Sequence, residues 1–230
     1  MTEHRPVSDI LRFDDWTSPV PPVRREVLSA LPETGADRPP VLFVPGPGTP
    51  ASVFGEHWLG HAAGRGFPAY ALTARPDGDL RAYAHDVVQV AAGLPRQCVL
   101  VGHGSGAAIV ARALSRYPAR AAVLVSPMLD RWATIRALLR TDPARGLRAL
   151  FGRRLPVLRS TPAPAGNPPV LVAGSPDDRL VPRSALDRTA ARYGGAPLLF
   201  PGMPHDLMTA PGWPEPIDAI IDWLAKELAA

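Results

Sequence analysis

Six short runs of apolar residues recur along this chain, and longer stretches with helical periodicity separate them. The runs are VLFV at 41–44, AYAL at 69–72, CVLV at 98–101, AAVLV at 121–125, VLVA at 170–173 and PLLF at 197–200. They are apolar at nearly every position rather than at every second one, as strands covered on both faces must be. Helical patterns occupy 57–64, 80–92, 107–116, 182–193 and 214–228. Repeated strand–helix alternation means βαβ units: an α/β fold with a mostly parallel central sheet and helices on both faces. Residues 23–31 add an antiparallel edge strand. The alternation breaks once, at 127–168, which reads as a short helical cap inserted into a single domain spanning 1–230.

Composition agrees with one packed domain. The 230 residues are 46% hydrophobic and 20% charged, enough apolar material for a sizeable core. Proline (29) and glycine (20) make up about a fifth of the chain, below the level at which low-complexity disorder is the default. A single cysteine, Cys98, excludes an internal disulfide framework and a cysteine-based zinc site. It lies within a strand pattern and reads as inert core. No stretch reaches the roughly 18 apolar residues of a membrane span, and the first residues lack a secretory apolar segment. The expectation is a soluble, cytoplasmic protein that does not engage a membrane.

The net charge of +4 is concentrated in one place. From Asp130 to Arg159 eight arginines face two acids, a local balance of +6, and Lys226 is the chain's one lysine. A basic patch is the footprint of a polyanion binder. No interleaved aromatics and no nucleic-acid module accompany this one, so the expectation excludes nucleic acid. A solvated face is the plain reading. The sharper one is a partner that is anionic, either a substrate carboxylate or the acidic surface of a carrier protein.

Ligands of open α/β sheets bind beyond the carboxyl ends of the strands. Four such ends carry suggestive residues: PGPGTPAS after Val44, GHGSGA after Val101, GSPDDRLVP after Ala173 and PGMPHDLM after Phe200. The first also matches the dinucleotide pattern G-x-G-x-x-A over Gly46–Ala51. Pro47 and Pro50 remove N–H groups that would cradle a pyrophosphate, and Thr73 and Ala74 stand where an acid should follow. No cofactor and no metal are therefore expected.

Taken in this order, the four segments resemble the α/β-hydrolase superfamily over residues 24–228. The chain order elbow, acid, histidine is that family's. The resemblance implies Asp178 as the acid, with its neighbour Asp177 as the alternative, and His205 as the histidine. It places the oxyanion loop on Pro45-Gly46-Pro47-Gly48 and the variable cap between Pro127 and Pro168.

Two departures matter more than the match. Aligned on Gly102 and Gly106, the family's nucleophile position falls on Gly104, which has no side chain to form an acyl-enzyme. The second oxyanion N–H would come from Pro47, which has none; the first would come from the backbone of Ser105. Ser105 as a displaced nucleophile is the alternative, but centring the elbow there puts the His103 ring where a small residue is needed. What remains is a histidine oriented by an aspartate, able to deprotonate a carbon or hydroxyl or to activate water. Superfamily members without the serine route run lyase, cyclisation and cofactor-free reactions, and the resemblance implies that range. The expectation is serine-independent general acid/base chemistry on a small carbonyl-containing compound. A serine ester or thioester hydrolase, using Ser105 or with its elbow serine replaced, is the second reading. A non-catalytic small-molecule binder is the third. His103, Trp58, Met128 and Trp132 are candidate pocket residues.

Overall fold

The computed structural model describes residues 20–129 apart from 22, 34 and 36, together with 135, 139 and 163–229. The expected cap therefore falls largely outside the described residues, as do its eight arginines and Trp132.

Strands β1 (Glu26–Ala30), β2 (Val41–Val44), β3 (Ala69–Thr73), β4 (Val99–His103), β5 (Ala121–Val125), β6 (Val170–Gly174) and β7 (Leu198–Leu199) form one sheet. Their spatial order is β1-β3-β2-β4-β5-β6-β7. All neighbours pair in parallel except β1, which runs antiparallel to β3 at the edge. The helices are α1 (Ser52–Gly55), α2 (Trp58–Gly64), α3 (Leu80–Gly93), α4 (Ser105–Ala113), α5 (Arg183–Arg192) and α6 (Pro214–Ala229). Asp79 caps α3 by accepting the Ala82 N–H at 2.9 Å.

The all-apolar strands are buried on both sides, and alternate residues serve two separate cores. Val41 and Phe43 of β2, Val99 and Val101 of β4 and Val123 of β5 pack with Phe54, Trp58, Ile217 and Ile220. Their neighbours Leu42, Leu100 and Leu124 pack on the other side with Tyr83, Val87, Ile109 and Leu186. A pleated strand sends successive side chains to opposite faces, so α1, α2 and α6 cover one face and α3, α4 and α5 the other.

The boundaries differ from the apolar runs where pairing, not burial, sets them. β4 continues through Gly102 and His103, which pair with Leu124 and Val125 of β5. That extension carries the chain two residues closer to the ligand side of the sheet. α1 lacks a readable periodic signal because it is one turn long. Cys98 is buried, and burial pushes its thiol up to about 12, which leaves it unreactive.

Candidate active site

Between β4 and α4 the backbone reverses at Gly104, with φ 57° and ψ −119°. This is a left-handed φ that glycine adopts without strain. The Gly104 N–H donates to the Val125 carbonyl at 2.9 Å, and its own carbonyl accepts from the Met128 N–H at 2.9 Å. The turn is tight enough to require small residues on both flanks. A Cβ on Gly106 would stand 2.1 Å from the Val44 carbonyl oxygen, and one on Gly102 would stand 2.7 Å from Ala107 Cα. Both fall below any tolerable contact, so the elbow is centred on Gly104. A Cβ on Gly104 itself would point at His205 Nε2, 3.2 Å away, with Met128 Sδ at 3.7 Å.

His205 lies in the loop after β7, Asp178 in the loop after β6. His205 Nδ1 and Asp178 Oδ2 are 2.7 Å apart. The other carboxylate oxygen accepts the Leu180 N–H at 2.7 Å and the Val181 N–H at 3.0 Å. The Asp178 side chain is 1% exposed. Burial alone would raise its pKa, but the hydrogen bond and charge of His205, with the two backbone N–H groups, outweigh burial and hold the carboxyl below its ordinary value. Asp177 serves elsewhere: its Oδ2 accepts the Gly202 N–H at 2.7 Å. The acid beside His205 is thus Asp178. Among the described residues His205 Nε2 has no hydrogen-bond partner, and it faces the space that a Gly104 side chain would fill.

The oxyanion loop is a closed turn. Thr49 N–H donates to the Gly46 carbonyl at 3.0 Å, and Gly48 has φ 82°. Pro47 then occupies position i+1 of a type II turn, where its fixed φ is favoured and its missing N–H costs nothing to the turn. Ser105 turns its hydroxyl toward this loop: Oγ lies 2.3 Å from where a Gly46 Cβ would stand. No hydrogen bond joins it to His205 among the described residues. The Ser105 backbone N–H, at the first position of α4, has no intrahelical acceptor.

The candidate pocket residues separate. Met128 lies beside Gly104. His103 is buried, with Nε2 donating to the His205 carbonyl at 3.2 Å. Burial, then the nearby His205, pushes its pKa down to about 4, so the ring is neutral at physiological pH. Trp58 is not a pocket residue. It is fully buried in the core against Phe43 and Phe54, with ring centroids 6.2 and 6.1 Å away. Its position at the start of α2 turns it onto the sheet.

Two residues that the sequence reading passed over belong to the site. Ser126, directly after β5, donates its hydroxyl to the same His205 carbonyl at 3.2 Å. Asp206 brings a carboxylate oxygen 3.6 Å from His103 Nε2. The ligand atoms of His103, His205 and Asp206 lie within 4.8 Å of one another, close enough to approach a shared metal ion. A metal held through His103 Nε2 would compete with the hydrogen bond that this nitrogen makes to the His205 carbonyl.

A sheet of this order, a strand–turn–helix elbow at Gly104, and an acid–histidine pair on the last two strand ends define a class. The family model described as the alpha/beta hydrolase family matches residues 41–229, and the chain belongs to that family. Solved structures share the fold. One is a putative non-heme bromoperoxidase, BpoC, from Mycobacterium tuberculosis, at 18% identity and TM-score 0.65, covering 90% of this chain and 96% of that one. Another is a monoacylglycerol lipase from Paleococcus ferrophilus, at 18% identity and TM-score 0.62, covering 89% and 98%. A third is the esterase RhEst1 from Rhodococcus, at 17% identity and TM-score 0.61, covering 87% and 94%. A search of curated protein sequences finds no match.

Proposed function

We propose that this chain is an α/β-hydrolase-fold enzyme that acts on a small carbonyl-containing compound by general acid/base chemistry of His205 and Asp178. One observation carries the reading: His205 is bound by Asp178 on one ring nitrogen, while the other faces an elbow position with no nucleophilic atom. With Nδ1–H donated to Asp178, Nε2 carries the lone pair. It takes a proton from the carbon next to a carbonyl, from a hydroxyl or from water. Asp178 stabilises the imidazolium that results, and Nε2 returns the proton to the leaving or newly formed group. The space at Gly104 admits the substrate atom or water that a serine side chain would otherwise displace. Negative charge developing on the carbonyl oxygen meets the Ser105 N–H, the oxyanion donor that remains. Such chemistry suits a lyase, a cyclase or a water-activating enzyme.

The arginine-rich segment supports an anionic substrate, or one delivered on an acidic carrier protein. Among the described residues no helix is long and apolar enough to cross a membrane.

Hydrogen–deuterium exchange at the α-carbon of small ketones and β-keto esters, followed by NMR in D2O, tests the reading without knowledge of the natural substrate. The native protein and Ser105→Ala are expected to accelerate exchange, and His205→Ala to lose the acceleration. Exchange that persists in His205→Ala would contradict the assignment. Ester hydrolysis that disappears in a folded Ser105→Ala would favour the displaced-serine hydrolase instead.

A further inference from the structure

We infer that Ser126 is a positioning residue for the His205 base, acting with His103 through the His205 main-chain carbonyl. The inference rests on the reading of His205 as the base and adds how the base is held.

The observations come from two strand ends that the elbow brings together. Ser126 has φ 44°, one of two non-glycine residues with positive φ among the described residues. Serine is uncommon in that region, and backbone strain of this kind clusters where surrounding structure imposes a geometry. Three hydrogen bonds impose it here. The Ser126 N–H donates to Ala173 of β6 at 2.8 Å, which continues the sheet ladder one residue past β5. Next to it, Gly104 N–H holds Val125 and Met128 N–H holds Gly104. The strained φ then directs the side chain across the sheet end, where Oγ donates to the His205 carbonyl at 3.2 Å.

That carbonyl receives a second donor at the same distance, Nε2 of His103 from the neighbouring strand end. The same oxygen also accepts the Leu207 N–H at 3.1 Å, a bond within the loop itself, so Ser126 and His103 are the two donors that tie it to the sheet. His103 at the end of β4 and Ser126 just after β5 tie the His205 backbone to the sheet, while Asp178, beyond β6, holds the ring. Rotation or drift of the loop would have to break bonds to three strand ends at once. His103 donates through Nε2 as a neutral ring, so it adds no charge beside the imidazolium that forms on His205. Ser126 is fully buried, hence unsuited to touching substrate.

Glycine and asparagine separate positioning from structure. Ser126→Gly adopts the left-handed φ without strain and removes the hydroxyl; Ser126→Asn tolerates that φ and restores an N–H donor. The expected result for Ser126→Gly is a Tm equal to or above native, with kcat for carbon-acid exchange reduced about tenfold and KM unchanged. Independently of activity, the downfield Nδ1–H resonance of His205 is expected to broaden or move upfield as its bond to Asp178 becomes intermittent. Ser126→Asn is expected to recover part of both signals. A folded Ser126→Gly with native kcat and an unaltered Nδ1–H resonance would overturn the inference. So would an activity loss that follows Tm in both variants, with the resonance unchanged. If the native protein catalyses no exchange, the base reading fails, while the resonance still reports whether Ser126 positions His205.

Discussion

The two halves of the site share the carboxyl end of one sheet and differ in what they hold there. On the β2–β4 side, the elbow turns at Gly104, which has no side chain, and the facing loop turns at Pro47, which has no N–H. On the β5–β7 side, the Asp178 carboxylate accepts from three groups and the His205 carbonyl from three. One half presents backbone alone at Gly104, and the other holds the His205 ring and carbonyl in a set of hydrogen bonds. Gly102 and Gly106 allow the close approach of β4, α4 and the β2 end on this side of Gly104.

The largest expected effect lies in the β5–β7 half. His205→Ala is expected to reduce turnover to background, and Asp178→Asn to reduce kcat by about 10⁴-fold, by analogy with loss of the orienting carboxylate in a serine triad. Both are read as kcat at unchanged fold by circular dichroism. An Asp178→Asn variant with native kcat would remove the distinction between the two halves.

A smaller effect should come from repairing the other half. Gly104→Ser places a hydroxyl toward His205 Nε2, although its Cβ at 3.2 Å requires the ring to give by a few tenths of an ångström. The left-handed φ adds strain of about 1–3 kcal/mol, visible as a lower Tm. Weak hydrolysis of p-nitrophenyl acetate is expected to appear. Adding Pro47→Ala should raise it further, because one oxyanion donor is worth about 10²–10³ in rate. A double variant no faster than Gly104→Ser alone would show that the turn at Pro47 is not what limits the oxyanion side.

The smallest effect concerns pH and stability. His103 has a folded pKa of about 4 against an ordinary value of 6.5, and it faces His205, Asp206 and Asp178. Between those values the unfolded chain binds a proton that the folded one does not. Stability therefore falls as pH drops from 6.5 toward 4, and no further contribution arises from this ring below 4. His103→Gln is expected to flatten that part of the urea-midpoint profile. Asp178, whose carboxyl is held below its ordinary value, acts in a lower window: its contribution is present above the unfolded carboxylate pKa near about 4 and is lost as pH falls further.

How far the sequence carried this picture depended on whether the determining interaction leaves a mark on residue type. Strands buried on both faces must be apolar throughout, so β2, β5 and β6 were legible nearly to the residue. β4 ran past its apolar run because ladder pairing of Gly102 and His103 leaves no hydrophobic trace. The contact between Asp178 and His205 and the turn at Gly104 follow the motif order read in the sequence. Ser126 was not legible, because nothing in a serine before a proline announces a positive φ or a distant carbonyl acceptor. Trp58 was open between pocket and packing, since sequence gives a helix start but not the rotation of its first residue. In the structure it closes the core.

The central claim is that the site works through His205 and Asp178 with no covalent serine, and intact-mass spectrometry after treatment with a fluorophosphonate tests it most directly. The native protein is expected to keep its unmodified mass, while Gly104→Ser gains a single phosphonyl group that depends on His205. A phosphonyl adduct on the native protein, mapped by peptide sequencing to Ser105, would contradict the account and make the chain a serine hydrolase with a displaced nucleophile.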